Sequence, residues 1–400
     1  MSQLNYYGRF DTMRKVLAIT TIRSDYDLLS SVYKLLHKSE YFDLKLLVGG
    51  THLSPAFGST VNEIRADGFS ILGEIESLHE SDSLKARLKS ASNLLQGAID
   101  MVSDWQPDLI LFAGDREDVL IGGMLGAFLN IPTIHFFGGD HETDGHTDTV
   151  IRHATSKLST FHIVAIEEHK QRLLRMGEPA HRIFVSGNPA LDKFAERKRK
   201  LSDSVPPSPW LSKDLSSYAL LIYHPLDKQS ESPGETFDNI LQALQSRGIA
   251  AAVSFPNSDP GHLKIIRIIE RYSNHSKFWF YKNLPRDEFM RLYYGAQFLI
   301  GNSSSGILEA ASIPLAAINV GLRQRDRYCG ANVIFCSTNV DDIANAIDTI
   351  QSTPVRAIVA KITNPYGDGA SALKIFEFIR DHDFRALIKK IEDPLKTVFQ

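Results

Sequence analysis

The sequence has very little cysteine, with only Cys329 and Cys336 among its 400 residues. Two cysteines argue against a disulfide scaffold and against a zinc site, and they fit a reducing compartment. No apolar run approaches the roughly 20 residues that a membrane-spanning helix requires. Residues 1–14 are polar and aromatic and lack the apolar core of a signal peptide. These absences predict a soluble, cytoplasmic protein that does not enter a membrane.

The sequence has no excess of basic charge. It contains 44 Lys and Arg residues and 47 Asp and Glu residues, for a formal net charge of −3. The one short basic run is 197–200, so no nucleic-acid partner is predicted. Three motifs are missing as well: GxxxxGK[ST], GxGxxG after the first strand, and GxSxG. Their absence argues against a P-loop enzyme, a standard NAD site and a nucleophile elbow.

Apolar runs and helical patterns alternate along the chain, as they do in proteins with parallel sheets. The composition, 43% hydrophobic and 23% charged, is that of a globular protein, and 400 residues are too many for one ordinary core. The predicted strands are 15–21, 42–48, 108–113, 132–137, 161–165, 218–223, 250–255, 277–281 and 298–300, and the stretch 182–189 closes the first half. The predicted fold class is therefore α/β, with two Rossmann-like doubly wound domains facing a cleft.

The domain boundary is predicted at a stretch of Lys, Arg, Ser and Pro residues, 193–217, which has the composition of a linker. It separates an N-terminal domain, 1–200, from a C-terminal domain, 201–375. A helical pattern runs from 371 to 400. The part of it at about 376–400 is expected to pack back on the N-terminal domain.

A strand end, a small polar loop at 301–306 and a predicted helix at 307–312 follow one another in the second half. Free backbone N–H groups and the positive end of the helix dipole make such a junction an anion site. Glu309, about one turn into the helix, can accept hydrogen bonds from the vicinal hydroxyls of a sugar. An N-capped helix after a tight turn explains the same residues. Arg323 and His224, each from another loop, favour a phosphate site, which needs converging charged donors.

Charged residues follow predicted strands of the first half as well. Arg23 lies just past the first strand, where open α/β sheets bind ligands, although a surface salt bridge explains it too. Asp115, after the strand 108–113, suits acid/base chemistry, but Asp115 or Asp118 would also serve as a helix N-cap. The loop 138–148 holds four acids and two histidines without zinc or EF-hand spacing, and it fits a polar cleft better. A nucleotide-sugar enzyme is the function that this pattern favours.

Short motifs then connect the chain to one enzyme family. In chain order they are 20–26, 50–54, 114–118, 151–159, 224–225, 255–259, 301–306, 323–324 and 364–369. Through them the chain resembles the UDP-N-acetylglucosamine 2-epimerases over about residues 15–375, and within these the hydrolysing branch. That branch makes N-acetylmannosamine, or a 6-deoxy di-N-acetyl analogue, for sialic and legionaminic acid synthesis.

The resemblance implies a glycosyltransferase-B-like fold and a two-stage reaction on a UDP-sugar. Anti elimination expels UDP to leave a glycal, and hydration then gives the free manno-configured sugar. The implied catalytic residues are Asp115, Asp148, Asp140, Arg116 and His224. The implied nucleotide-binding residues are Arg23, Asn257, Ser303, Ser304, Gly306, Glu309 and Arg323, with Glu309 at the ribose. No cofactor and no metal ion are expected. The protein is expected to form a homodimer or a homotetramer.

One departure from the family concerns Phe137, where its members usually carry Glu or His, and Asp140 stands in place of the usual Glu. Phenylalanine can neither transfer a proton nor hydrogen-bond a sugar. Three outcomes are open: Asp140, His141 or Glu142 takes over, the substrate differs at that contact, or activity is lost. A 4-acetamido-6-deoxy sugar, more apolar than N-acetylglucosamine, would suit a phenylalanine wall. The sequence does not separate UDP from GDP.

Three other functions remain open at this stage. The first is a non-hydrolysing epimerase, which returns UDP to the glycal, although the motif 151–159 and the chain length favour the hydrolysing branch. The second is a glycosyltransferase on the same fold, and the third is a nucleotide-sugar binder without activity.

Overall fold

The computed structural model describes residues 13–81, 83–142, 147–194, 217–226, 232–257, 261–282, 284 and 286–397. The chain divides into two units. Unit 1 comprises 1–140, 147–190 and 370–400, and unit 2 comprises 141–146 and 191–369. The sequence prediction had set the domain boundaries after residues 200 and 375. The predicted linker, 193–217, lies almost entirely outside the described residues.

Unit 1 is built on a seven-stranded parallel sheet with the order β3-β2-β1-β4-β5-β6-β7. Its strands are β1 (Arg14–Thr20), β2 (Phe42–Gly49), β3 (Ser70–Ile75), β4 (Leu109–Ala113), β5 (Thr133–Phe136), β6 (Phe161–Val164) and β7 (Ile183–Val185). The helices between them are α1 (Arg23–His37), α2 (Val61–Ala66), α3 (Leu84–Trp105), α4 (Glu117–Leu129), α5 (Thr147–Leu158) and α6 (Glu167–Arg175). Central strands such as β4 are continuous apolar runs because both faces of the sheet are covered.

Unit 2 is built on a six-stranded parallel sheet with the order β10-β9-β8-β11-β12-β13. Its strands are β8 (Tyr218–Ile222), β9 (Ala250–Ser254), β10 (Phe278–Tyr281), β11 (Phe298–Gly301), β12 (Ala316–Val320) and β13 (Val333–Cys336). Its helices are α7 (Pro233–Ser246), α8 (His262–Tyr272), α9 (Arg286–Gly295), α10 (Ser305–Leu308), α11 (Val340–Ile350) and α12 (Thr353–Val359).

Each sheet has a point where the strand order reverses. In unit 1 it lies between β1 and β4, and in unit 2 between β8 and β11. Loops that leave the carboxyl ends of two such strands diverge, and the crevice between them is where open α/β sheets bind ligands. Asp115 follows β4, and His224 and Ser303 follow β8 and β11. The predicted site residues therefore lie at the ligand-binding edge of each sheet.

The predicted α/β class with two doubly wound sheets is confirmed. Four strands were not predicted: the edge strands β3, β7 and β13, and β12, which lies inside its sheet. β3 is mostly partly buried or exposed, and Gly73 and Glu74 interrupt its apolar residues, so its sequence shows neither a continuous apolar run nor a strict alternation. The other three are short, mostly apolar runs that were not assigned as strands.

The C-terminal helical prediction, 371–400, is wrong for residues 382–393. The helix α13 (Ser371–Asp381) packs its apolar side into the core of unit 1, but residues 382–393 form turns and extended backbone. The guanidinium of Arg182 donates to the carbonyl oxygens of Leu387 and Lys389, at 2.5 and 3.0 Å. These carbonyls are therefore satisfied without a helix, and only the short α14 (Pro394–Thr397) follows.

Among the residues that the structure describes, no helix combines the length and the apolar character needed to cross a membrane.

Candidate active site

The loops after β8 and β11 in unit 2 are joined by one asparagine. Asn302 accepts a hydrogen bond from the backbone N–H of His224 and donates another to its carbonyl, both at 2.8 Å. His224 Nδ1 in turn accepts from the backbone N–H of Asn257, at 3.2 Å. Because Nδ1 is an acceptor, the proton of the neutral ring lies on Nε2. Two predicted site residues, His224 and Asn257, are therefore held together at the switch point.

The loop 301–306 approaches its neighbours too closely for side chains at two positions. Gly301 has φ +137°, and a Cβ there would collide with the backbone of Ile222. A Cβ on Gly306 would lie 2.9 Å from Leu299 Cδ2. Ser303 Oγ accepts from the backbone N–H of Ser305, at 3.3 Å. The predicted glycine and serine positions thus form a compact turn, as a phosphate-binding loop requires.

The helix after this loop is shorter than predicted. α10 covers only Ser305–Leu308, and a 3₁₀ turn follows at Ala310–Ser312, in place of the predicted helix 307–312. The amide of Asn364 donates to the Leu308 carbonyl and to Ser312 Oγ, both at 2.8 Å, so the helix end is satisfied early. A four-residue helix has a small dipole. An anion at this loop would depend mainly on N–H groups, hydroxyls and charged side chains.

Charged side chains flank the same loop. Arg323 donates to the carbonyl oxygen of Asn302, at 3.0 Å, which holds its guanidinium beside the loop. Glu309 accepts from Ser305 Oγ at 2.5 Å and pairs with Lys193 at 3.4 Å. Unit 2 therefore brings together the predicted residues His224, Asn257, Ser303, Ser304, Gly306, Glu309 and Arg323 around one edge of its sheet.

In unit 1, Asp115 forms an ion pair with Arg152 of α5. Arg152 is buried and also donates to the carbonyl oxygen of Phe137, at 3.0 Å. The alternative that Asp115 or Asp118 caps α4 is wrong, because Arg116 occupies the N-cap position without a side-chain cap. Asp115 is instead a carboxylate whose direction is set by a buried arginine.

Asp148, at the start of α5, is held by a residue that sequence reasoning missed. Arg87 of α3 donates to Asp148 at 2.9 Å and to Glu117 at 2.7 Å. Burial alone would lower the pKa of Arg87, but the hydrogen bonds to Glu117 and Asp148 outweigh it and raise the pKa above its ordinary value. No local sequence signal marks Arg87, since its partners lie 30 and 61 residues away.

His135 of β5 is a second residue that the sequence did not single out. Burial lowers the pKa of His135 to about 3, so the ring is neutral near neutrality. Nε2 donates to the carbonyl of Gly114, at 2.9 Å, and Nδ1 lies 3.1 Å from Ser156 Oγ, from which it accepts. His135 therefore connects α5 to the peptide that precedes Asp115.

Asp118 is the third missed residue. The residue is 5% exposed. Burial is the largest cause that raises the pKa of Asp118 to about 7; the negative charges of Asp25 and Glu117 also raise it, and the charge of Arg116 opposes them. Asp25 accepts from the backbone N–H groups of Thr21 and Ile22, at 2.9 and 3.2 Å. The sequence analysis considered Asp118 only as a helix cap, because burial cannot be read from a local motif.

The remaining predicted residues of unit 1 have these surroundings. Arg23 begins α1 and pairs with Glu63 at 3.3 Å. Asp140 is buried, and its Oδ1 lies 3.4 Å from His169 Nε2. Phe137 has φ +65°, and its half-buried ring packs against the core of unit 1.

The acidic loop 138–148 was considered above as a possible metal site. Residues 143–146 lie outside the described chain. Among the described residues, no three His, Cys, Asp or Glu side chains are grouped so that they could hold a metal ion.

Comparison with known proteins gives three findings. Residues 34–380 match the family described as UDP-N-acetylglucosamine 2-epimerase. A Legionella pneumophila protein named UDP-N,N'-diacetylbacillosamine 2-epimerase (hydrolyzing) is 36% identical over 92% of this chain and 96% of its own. A Campylobacter jejuni protein named GDP/UDP-N,N'-diacetylbacillosamine 2-epimerase (hydrolyzing) is 30% identical over 85% of this chain and 88% of its own.

A solved structure shares the fold. The UDP-GlcNAc 2-epimerase from Neisseria meningitidis, bound to UDP-GlcNAc, aligns with a TM-score of 0.78 at 18% identity, over 92% of this chain and all of that one. The predicted glycosyltransferase-B-like fold class is confirmed by this likeness.

Proposed function

This chain belongs to the UDP-N-acetylglucosamine 2-epimerase family, and we propose that it is a hydrolysing 2-epimerase of a UDP-linked 2-acetamido sugar. The observation that carries the proposal is the 36% identity, over nearly the whole length of both chains, to a relative named as a hydrolysing 2-epimerase. Two relatives carry N,N'-diacetylbacillosamine in their names. A 2,4-diacetamido-6-deoxy sugar is therefore the favoured substrate, with N-acetylglucosamine as the second choice.

The proposed reaction has two steps. A base removes the C2 proton, the electron pair forms the C1–C2 double bond of a glycal, and the C1–O bond breaks with its electrons leaving on UDP. Water then adds its oxygen to C1. A proton is delivered to C2 on the face opposite to the one from which the first proton was removed, which inverts C2. The sum is UDP-sugar plus water giving UDP plus the free 2-epimer.

Unit 2 would stabilise the leaving nucleotide. A diphosphate departs readily only when its developing charge meets fixed donors. We assign that task to His224, Asn257, Ser303, Ser304, Gly306 and Arg323 of unit 2, and the family resemblance adds Arg23 of unit 1. His224 and the guanidinium of Arg323 both contact Asn302 of this turn in unit 2. Glu309 would accept from the ribose hydroxyls.

Unit 1 would supply the acid and base. The C2 proton is weakly acidic, so its acceptor must be a carboxylate held in a fixed direction and partly out of water. Asp115 and Asp148 fit this demand because Arg152 and Arg87 orient them. Asp140 and Arg116 complete the assigned set, with Asp140 in the place of the family's glutamate.

Phe137 gives the proposal its substrate preference. Its ring is only half buried, so part of an apolar surface remains at the edge where the family carries Glu or His. An apolar wall suits a C6 methyl group better than a C6 hydroxyl, which would lose its hydrogen bonds there. Higher activity of Phe137→Glu on UDP-N-acetylglucosamine, with the 4-acetamido-6-deoxy substrate never used, would refute this assignment.

The deciding experiment is proton NMR in deuterated water, with UDP-N,N'-diacetylbacillosamine and UDP-N-acetylglucosamine in separate tubes. The expected products are UDP and a free manno-configured sugar with deuterium at C2. A 2-epimer still attached to UDP would indicate the non-hydrolysing reaction. No exchange at C2 and no UDP release, with UDP still bound, would refute the proposal in favour of a binder or a transferase awaiting an acceptor.

A further inference from the structure

The helix α5 connects three parts of the acid/base region of unit 1. Asp148, Arg152 and Ser156 are four residues apart, so they lie on one side of the helix. Asp148 contacts Arg87, Arg152 contacts Asp115, and Ser156 contacts His135. A shift of α5 would therefore move all three contacts together.

The C-terminal end of α5 is held by a lysine from far along the chain. Lys390 Nζ donates to the carbonyl oxygens of Lys157 and Ser159, at 3.1 and 3.0 Å, and to Glu178 Oε2, at 2.6 Å. The last carbonyls of a helix have no partner within it, and a cation there also meets the negative end of the dipole. Burial lowers the pKa of Lys390, while the fully buried Glu178 opposes that shift.

The segment that carries Lys390 is itself fixed to the core of unit 1. Arg182, 1% exposed, donates to the carbonyls of Leu387 and Lys389 and pairs with Glu392 at 2.9 Å. Residues 387–392 are thus bound from the side of β7, which begins at the next residue after Arg182. Lys390 is consequently a fixed point rather than a mobile surface charge.

We propose that Lys390 is a positioning residue for the acids of unit 1: it fixes the C-terminal end of α5 and thereby the alignment of Asp148 and Arg152. The inference rests on the proposed epimerase function. α5 has 12 residues, which is about 18 Å at 1.5 Å per residue. A tilt of about 3° about one end moves the other by about 1 Å, and displacements of that size can cost on the order of 100-fold in rate.

The test compares Lys390→Met with Lys389→Met in the full-length protein. The two variants lose the same charge at neighbouring positions, but the side chain of Lys389 is exposed. We expect Lys390→Met to lower kcat for UDP release at least about tenfold with KM changed less than about threefold, because the residues assigned to the nucleotide are untouched. Lys389→Met should match the unchanged protein, and Lys390→Arg, which keeps a charged donor, should recover most of kcat.

A second measurement does not need activity. Amide hydrogen exchange of residues 147–158 should be faster in Lys390→Met than in Lys389→Met, with exchange of β8 and β11 in unit 2 the same in both. If Lys390→Met does not fold, Lys390→Gln takes its place in both measurements.

Equal kcat in the two methionine variants, or equal exchange in α5, would overturn the inference. A loss that Lys390→Arg does not restore, accompanied by an equal loss of UDP binding, would overturn it as well, since it would reflect general unfolding. Absence of UDP release from the unchanged protein with either sugar would count against the proposed function, while the exchange comparison still decides the role of Lys390.

Discussion

Replacing Asp118 with asparagine removes a buried carboxyl in the first turn of α4 without changing the size of the side chain. Asp118 is 5% exposed, and burial together with the charges of Asp25 and Glu117 gives it a pKa of about 7, against an ordinary value of 3.8. Asparagine cannot ionise. It therefore removes whatever free energy the fold loses by holding a charge at this position.

The sign and size follow from proton linkage. Between about pH 4 and 7 the folded state binds more protons at Asp118 than the unfolded chain does, so stability falls as pH rises through this window and levels off above it. About three pKa units at 1.36 kcal/mol each give a ceiling of about 4 kcal/mol. Part of this free energy comes from the repulsion between Asp118 and Asp25. We therefore expect Asp118→Asn to raise the free energy of unfolding by about 2–4 kcal/mol at pH 8 and to change it very little near pH 4.

The assay is thermal and urea unfolding of the unchanged protein and Asp118→Asn at several pH values from 4.5 to 8, with the difference plotted against pH. Glu117→Gln is the control, because Glu117 is an acid one residue away that pairs with Arg87 at 2.7 Å. This control should lose stability at pH 8. A difference for Asp118→Asn that does not grow with pH, or a less stable variant at pH 8, would show that the carboxyl is not destabilised by burial.

Three further outcomes are expected. His135→Leu should lower kcat about tenfold or more, because it removes the hydrogen bond to the Gly114 carbonyl. His135→Gln keeps a donor there and should retain much of kcat. Equal losses in steady-state assays would contradict the positioning role of His135. Gly301→Ala should abolish UDP binding in calorimetry and lower the melting temperature, because φ is +137° and a Cβ would collide with the backbone of β8. Normal UDP binding by this variant would contradict the proposed role of the loop 301–306. Arg87→Met should lower kcat while UDP still binds, since it releases Asp148 and Glu117; an unchanged kcat would remove Asp148 from the catalytic set.

Sequence patterns predicted the strands whose apolar runs stand out along the chain. The predicted central strands, such as β4, coincide with continuous apolar runs. The edge strand β3 has no such signal, because Gly73 and Glu74 interrupt its apolar residues, whereas β7, β12 and β13 are short, mostly apolar runs that were missed. The segment 382–393 has a helical pattern, but Arg182, about 200 residues earlier, binds its carbonyls instead.

The candidate site divides in the same way. Motif residues such as Asp115 and His224 could be found because they follow strands, and the carboxyl ends of parallel strands share one edge. Arg87, His135 and Asp118 could not be found, since their roles depend on partners distant in sequence and on burial. A histidine within a strand, or an acid in the first turn of a helix, has the same local pattern whether or not it orients a catalytic group.

The division of unit 1 along the chain has a consequence for biosynthesis. Its first part ends at Ala190, and its last part begins only at Ala370. At roughly 5–20 residues per second, a ribosome needs on the order of 10–40 s to make the stretch between them. During that interval Arg182 and Glu178 lack their partners from residues 387–392. The nascent protein therefore passes through a state in which the C-terminal end of α5 lacks its contacts with Lys390, and chaperones that bind exposed apolar surface have this interval in which to act.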